Sequence, residues 1–208
     1  MSLSRIGVGL SVAICVGFAA TTPLAKSQPT TAISADWGLP QLMQELADVK
    51  SASAQFTERK TMRVLTAPLV TSGTLAYTAP DRMQKTTLVP VREQFVLDRD
   101  QATIVSGPDN QIHRFSLSEF PQITGLVEGI RATLAGDLPT LQRFYIVELR
   151  GAPADWQLLL RPRDARLARF IKWIRIRGSQ DRIEAVATKG SNGDDSEMSI
   201  IEDSSDAR

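Results

Sequence analysis

Hydrophobic positions change period several times along this chain. Leu39, Leu42, Met43, Leu46 and Val49 recur at helical spacing, one apolar stripe on an otherwise polar helix, and Asp36 offers an N-cap. Beyond Ser53 the period drops to two. That alternation predicts strands over 54–64, 69–78, 82–89, 92–98, 101–106 and 110–117. The breaks carry turn chemistry: Ala67-Pro68, Ala79-Pro80-Asp81, Pro90 and Gly107-Pro108-Asp109-Asn110. Short strands at such spacing form an antiparallel meander.

A second helix interrupts the meander. Ile123, Leu126, Val127, Ile130 and Leu134 fall on one face, and Gly136 is placed to end it. Strands resume at about 144–150, 155–161, 169–178, 181–188 and 196–202. In 170–177 the alternation puts Phe170, Ile174 and Ile176 on one face, with Ile171 and Trp173 among arginines on the other. Lys189 to Asp195 is a polar hairpin connection. The sum is an α+β fold with about ten or eleven strands and two main helices. A sheet that wide curls. Helices laid over its concave face enclose an apolar space.

The amino terminus follows different rules. Arg5 precedes an uninterrupted run of apolar and small residues from Ile6 to Ala20, 15 residues, short of the ~20 that span a bilayer. Residues 1–25 therefore read as a secretory signal peptide, cleaved after Ala19 or Ala25. Residues 26–35 read as a flexible leader, 36–203 as one domain, and 204–208 as a disordered tail. Export predicts a periplasmic protein. The single cysteine, Cys15, lies inside the apolar run after Ile14, where a lipidated cysteine needs a small residue. The mature chain thus has no disulfide, thiol nucleophile or cysteine metal site. Its size is enough to bury a core without one.

Formal charge is balanced, 24 basic against 23 acidic residues, but unevenly spread. Arg161, Arg163, Arg166, Arg169, Lys172, Arg175, Arg177 and Arg182 fall in one stretch with only Asp164 and Asp181 between them. A basic stripe can track phosphates, yet an exported protein rarely meets nucleic acid. A solvated strand face is the favoured reading, ahead of an acidic partner or anionic headgroups.

Catalytic chemistry is sparse. His113 is the only histidine, with no Gly-x-Ser-x-Gly elbow, and it supplies too few ligands for zinc. Asp98-Arg99-Asp100 and Asp194-Asp195 sit at strand ends or hairpins, where turn-forming acids are common. No metal or cofactor is expected, and no enzyme.

One series of motifs resembles a known family. Leu42-Met43-Gln44-Glu45-Leu46-Ala47-Asp48-Val49-Lys50-Ser51 leads into Ala54-Gln55-Phe56-Thr57-Glu58. Gly73-Thr74-Leu75-Ala76-Tyr77, Pro80-Asp81-Arg82-Met83, Pro90 and Phe95-Val96-Leu97-Asp98 follow in order. Later, Trp156-x-Leu-x-Leu-x-Pro162 and Ile174-Arg175-Ile176 suit the closing strands. Over most of 38–202 the chain resembles the outer-membrane lipoprotein carrier (LolA) family. Three positions differ: Ala79 stands where many carriers have arginine, Lys85 where an aromatic is frequent, and the chain lacks the closing Pro-x-Gly-Val.

The resemblance implies a strongly curved half-barrel closed by helices around a hydrophobic cavity. It implies a carrier, or chaperone, of lipoprotein acyl chains or other lipid cargo, moving from an inner-membrane exporter to an outer-membrane acceptor. Such a carrier acts as a monomer and needs no catalytic residue. Phe56, Leu75, Tyr77, Met83, Phe95, Leu97 and Ile104 are the expected cavity residues. Ile123, Leu126, Val127, Ile130 and Leu134 are the expected lid, hinged near Gly136-Asp137-Leu138-Pro139. The alternatives are a lipid-sensing or regulatory half-barrel, and a periplasmic hydrolase built on His113.

Overall fold

The computed structural model describes residues 37–107 and 109–203, without the side chains of residues 121–123. The expected signal peptide with its cleavage points, the expected leader, the Asp36 cap and the expected 204–208 tail lie outside the described residues. Among the described residues, no helix is long and apolar enough to cross a membrane.

Two runs of strands build one antiparallel sheet. The first comprises β1 (Ser51–Thr61), β2 (Leu69–Thr78), β3 (Arg82–Val89), β4 (Glu93–Asp98), β5 (Gln101–Ser106) and β6 (Gln111–Ser116). The second comprises β7 (Tyr145–Ala152), β8 (Asp155–Pro162), β9 (Ile171–Ser179), β10 (Arg182–Gly190) and β11 (Asp195–Glu202). Their order is β6-β5-β4-β3-β2-β1-β11-β10-β9-β8-β7, so the first and last strands meet at the centre. The edges are β6 and β7, which are consecutive in the chain. Their connection must therefore cross the whole sheet, and it carries the helices α2 (Pro121–Leu134) and α3 (Leu138–Phe144) over the concave face. The α+β half-barrel follows from that single crossing.

Alternation selects the inward face. In β1, Ala54, Phe56 and Glu58 are buried while Gln55, Thr57 and Arg59 are exposed. The Gly73 of β2 lies at an irregularity in its pairing with β3, where the Thr86 carbonyl fills the space a Cβ would take. α1 (Leu39–Asp48) buries Leu42, Met43 and Leu46, each contributing roughly 1.5–3 kcal/mol. Its N-cap is Gly38, with no side-chain bond.

The main core joins these α1 residues to Leu141, Tyr145, Trp156 and Ile174 under the β7–β10 half of the sheet. A smaller cluster, Leu97, Ala102, Leu117 and Val127, fills the β4–β5 side. α2 is held between them. Its Gly125 and Gly129 bring the backbone against Leu167 and Tyr145, and the Tyr145 hydroxyl donates to the Gly125 carbonyl at 2.7 Å. At its end, Gly136 takes φ +63° and Asp137 N–H reaches back to Ala132 O at 2.8 Å, a Schellman closure. The turn abuts Met43 and Ala47 of α1, so this end of the helix is clamped by its neighbour.

Two local features depart from the sequence expectation. α3 and the one-turn α4 (Ala165–Ala168) are additional helices, capped by the carboxylates of Asp137 and Asp164. In β9 a bulge at Lys172 makes Lys189 pair with Trp173 but Gly190 with Ile171. The extra residue reverses the facing: Ile171 is buried at 7% exposure and Phe170 exposed at 47%. The eight cationic side chains from Arg161 to Arg182 are all exposed. Arg161 pairs with Glu148 at 3.0 Å, and Arg175 stacks over Trp173 at 4.7 Å.

Candidate functional site

Between the two packed clusters the concave face is left uncovered by side chains, and a cavity of about 500 Å³ remains beneath α2. Its floor is the middle of the sheet, where β1 and β11 meet, and includes Val186, Met198 and Ile200. Its roof is α2, through Leu126, Val127, Ile130 and Leu134, with Leu46 and Val49 from the end of α1.

Of the seven sheet residues singled out from the sequence, Leu75, Tyr77, Met83 and Phe95 line this cavity. The other three do not. Phe56 shares the concave face but is buried beneath Lys85, whose ammonium lies 4.7 Å from the ring centroid. Leu97 is fully buried in the smaller cluster. Ile104 is half-buried, opposite Phe95 in register, outside the lining. Four of the five roof residues line the cavity; the Ile123 side chain lies outside the described residues. His113 is exposed on the edge strand β6. Among the described residues, no group of three His, Cys, Asp or Glu could hold a metal ion.

The cavity carries polar groups at two ends: Asp181, Arg182 and Glu202 border it at one, with Arg182 Nε 3.9 Å from Glu202, and a second group lies at the other end. Glu58, Lys60, Lys85, Thr188 and Ser196 all border it. Glu58 is 5% exposed and forms a hydrogen-bonded ion pair with Lys85. It also accepts from Ser196 Oγ at 2.6 Å and lies 3.4 Å from Lys60 Nζ. Burial pushes the Glu58 carboxyl up, but its bonds from Lys85 and Ser196, with both lysine charges, outweigh this and hold it below the ordinary 4.5. Burial lowers Lys85 below its ordinary value, and Glu58 offsets this only in part.

Residues 27–207 match the family described as outer membrane lipoprotein carrier protein LolA-like. The chain belongs to this family. No curated protein matches it. Among solved structures, a LolA superfamily protein from Nitrosomonas europaea is similar at a TM-score of 0.43 and 8% identity, covering 79% of this chain and 92% of that one. The Pseudomonas aeruginosa MucA/MucB complex is similar at 0.43 and 12%, covering 78% of this chain and 55% of that one.

The Glu58 end of the LolA-like cavity is absent from the sequence expectation, although its signal was there. Ala54-x-Phe56-x-Glu58-x-Lys60 is a strict alternation, so a strand placing Phe56 inward also places Glu58 and Lys60 inward. The β10 and β11 contributions were harder to find, because their small and polar residues blur the period.

The Glu58 arrangement predicts an acid limb. A carboxyl whose folded value is lowered contributes stability above the unfolded value, 4.5, and loses it as pH falls through the folded one. Subtracting urea-unfolding curves of Glu58→Gln from wild type, taken at falling pH, should isolate this loss. A difference that stays flat below pH ~4.5 would contradict the lowered value.

Proposed function

We propose that this LolA-like chain is a periplasmic carrier that shields the acyl chain of a lipoprotein or another lipid during transfer from an inner-membrane exporter towards the outer membrane. The observation that carries this reading is the cavity of about 500 Å³, floored by the sheet and roofed by α2. Each methylene removed from water is worth ~0.8 kcal/mol, so a long acyl chain gains strongly by entering such a space. Carriage needs only a shaped apolar enclosure and a roof that yields, which accords with walls that are mostly aliphatic and aromatic. The reading of residues 1–25 as an export signal supports the location. Leu75, Tyr77, Met83 and Phe95 act as the acyl contacts, and α2 as the lid.

The test is mass spectrometry of lipid co-purifying with the full-length protein expressed with its own leader, followed by re-binding of a fluorescent fatty acid after delipidation. Periplasmic recovery with bound acyl lipid, and saturable re-binding, are expected. A periplasmic protein that neither retains acyl lipid nor re-binds the probe would refute the carrier.

A further inference from the structure

The carrier reading accounts for the apolar walls and leaves one charged cluster unexplained, a buried Glu58 with the half-buried Lys60 and Lys85. In a purely apolar container, Glu58, Lys60 and Lys85 would be a liability, because each ion withdrawn from water must be compensated. Here they are kept, Glu58 and Lys60 on β1 and Lys85 on β3, with β2 between. Lys85 lies on β3, opposite Leu75 of β2 and Phe95 of β4, and both of those neighbours line the cavity. The cluster therefore sits against the apolar chamber and opens onto it.

The hydrogen-bonding inventory decides what the cluster lacks. Glu58 is well supplied, with Lys85 on one oxygen and Ser196 on the other. Lys60 and Lys85 are partly exposed, 36% and 26%, and keep donors for water or a ligand. An ammonium carries three N–H donors. Among the described residues, Lys85 spends one on Glu58, and Lys60 makes only the 3.4 Å ion pair. Glu93, exposed on β4, adds a negative charge near Lys85 but does not border the cavity. At this end of the cavity the surplus is of donors, and donors call for an acceptor; the carboxylates Asp181 and Glu202 border the cavity away from it, with Arg182 3.9 Å from Glu202.

We propose that Lys60 and Lys85 form a headgroup site for an anionic amphiphile, taking its carboxylate or phosphate while the single acyl tail lies against Leu75, Phe95, Met198 and Ile200. Glu58 holds the two ammonium groups in place when the site is empty. This inference rests on the carrier reading, since it supplies the head for the tail that the cavity takes. The volume is of the size that encloses one small ligand.

Delipidated protein is titrated with hexadecanoate, with hexadecanoyl lysophosphatidate and with neutral hexadecanol, which share one tail length. The expected result is a preference of about tenfold or more for an anionic head, the size of one charge-assisted hydrogen bond. Which of the two anions binds more tightly separates a fatty acid from a phospholipid source. Lys85→Met should abolish most of the preference, read as the ratio of hexadecanoate to hexadecanol affinity within the variant. Because that variant strands Glu58 in a buried position, the double variant Lys85→Met, Glu58→Gln provides a charge-free comparison. Glu58→Gln alone should bind the anions more tightly, having lost a competing carboxylate. Equal binding of acid and alcohol, or a preference that survives Lys85→Met and Lys60→Met together, would overturn the headgroup site and leave the carrier standing. Failure of all three amphiphiles to bind would overturn both.

Discussion

Replacing Tyr145 by alanine is expected to lower stability by about 3–5 kcal/mol and to free α2. The ring is fully buried at the start of β7, where the main core meets the roof helix. It is the surface on which Gly129 rests; a Cβ there would come within 2.9 Å of the Tyr145 ring. Its hydroxyl donates to the Gly125 carbonyl one turn earlier, and burial raises that hydroxyl far above the ordinary tyrosine range, so it remains a donor at any working pH. Truncation removes the ring's packing and the bond together, and leaves a hole directly beneath α2. Urea unfolding should report the stability loss, and hydrogen exchange across 124–134 should accelerate more than exchange in β1. Tyr145→Phe separates the two contributions. It should cost about 1 kcal/mol, the net worth of one hydrogen bond, and loosen α2 without emptying the core. Uniform acceleration throughout the sheet in Tyr145→Phe would mean that this bond does not single out the roof.

Much of the architecture was legible because it depends on local chemistry. Period-two alternation bounded by Pro, Gly, Asp and Asn marked the strands to within a few residues. Leu126, Val127, Ile130 and Leu134 marked α2, and Gly136 marked its end. α3 was hidden by Pro139, which reads as a breaker but sits in the first helical turn, where its missing N–H costs nothing. The bulge at Lys172 was hidden because it arises from how β9 pairs with β10, and it shifts Phe170 and Ile171 to faces that simple alternation reverses.

The division of inward residues into cavity and core was not legible at all. Leu75 and Leu97 look alike in sequence, each an inward leucine in an alternating strand, Thr74-Leu75-Ala76 and Val96-Leu97-Asp98. Leu117 and Val127, contributed by the crossing between β6 and β7, pack over Leu97; over Leu75 that crossing leaves space. The distinction belongs to the placement of a distant helix.

That contrast supplies the second large effect, a charge placed in the roof. Ile130→Glu is expected to leave the fold intact while weakening binding of a fluorescent fatty acid by about a hundredfold or more. Ile130 borders the cavity and is half-buried, so in the empty protein a carboxylate there retains water. An acyl chain entering beneath it must remove that water, and an unpaired carboxylate left dry costs several kcal/mol. A hundredfold needs only about 2.8 kcal/mol. Leu97→Ala should behave in the opposite manner. Leu97 is fully buried against Leu117 and Val127 and makes no part of the lining, so truncation should cost about 2–5 kcal/mol in unfolding while leaving the acyl contacts in place. Paired urea denaturation and probe titration on the two variants therefore give crossed outcomes. Should Ile130→Glu bind the probe as wild type does, with unfolding unchanged, the acyl chain would not lie beneath α2, and the assignment of this helix as the lid would fail.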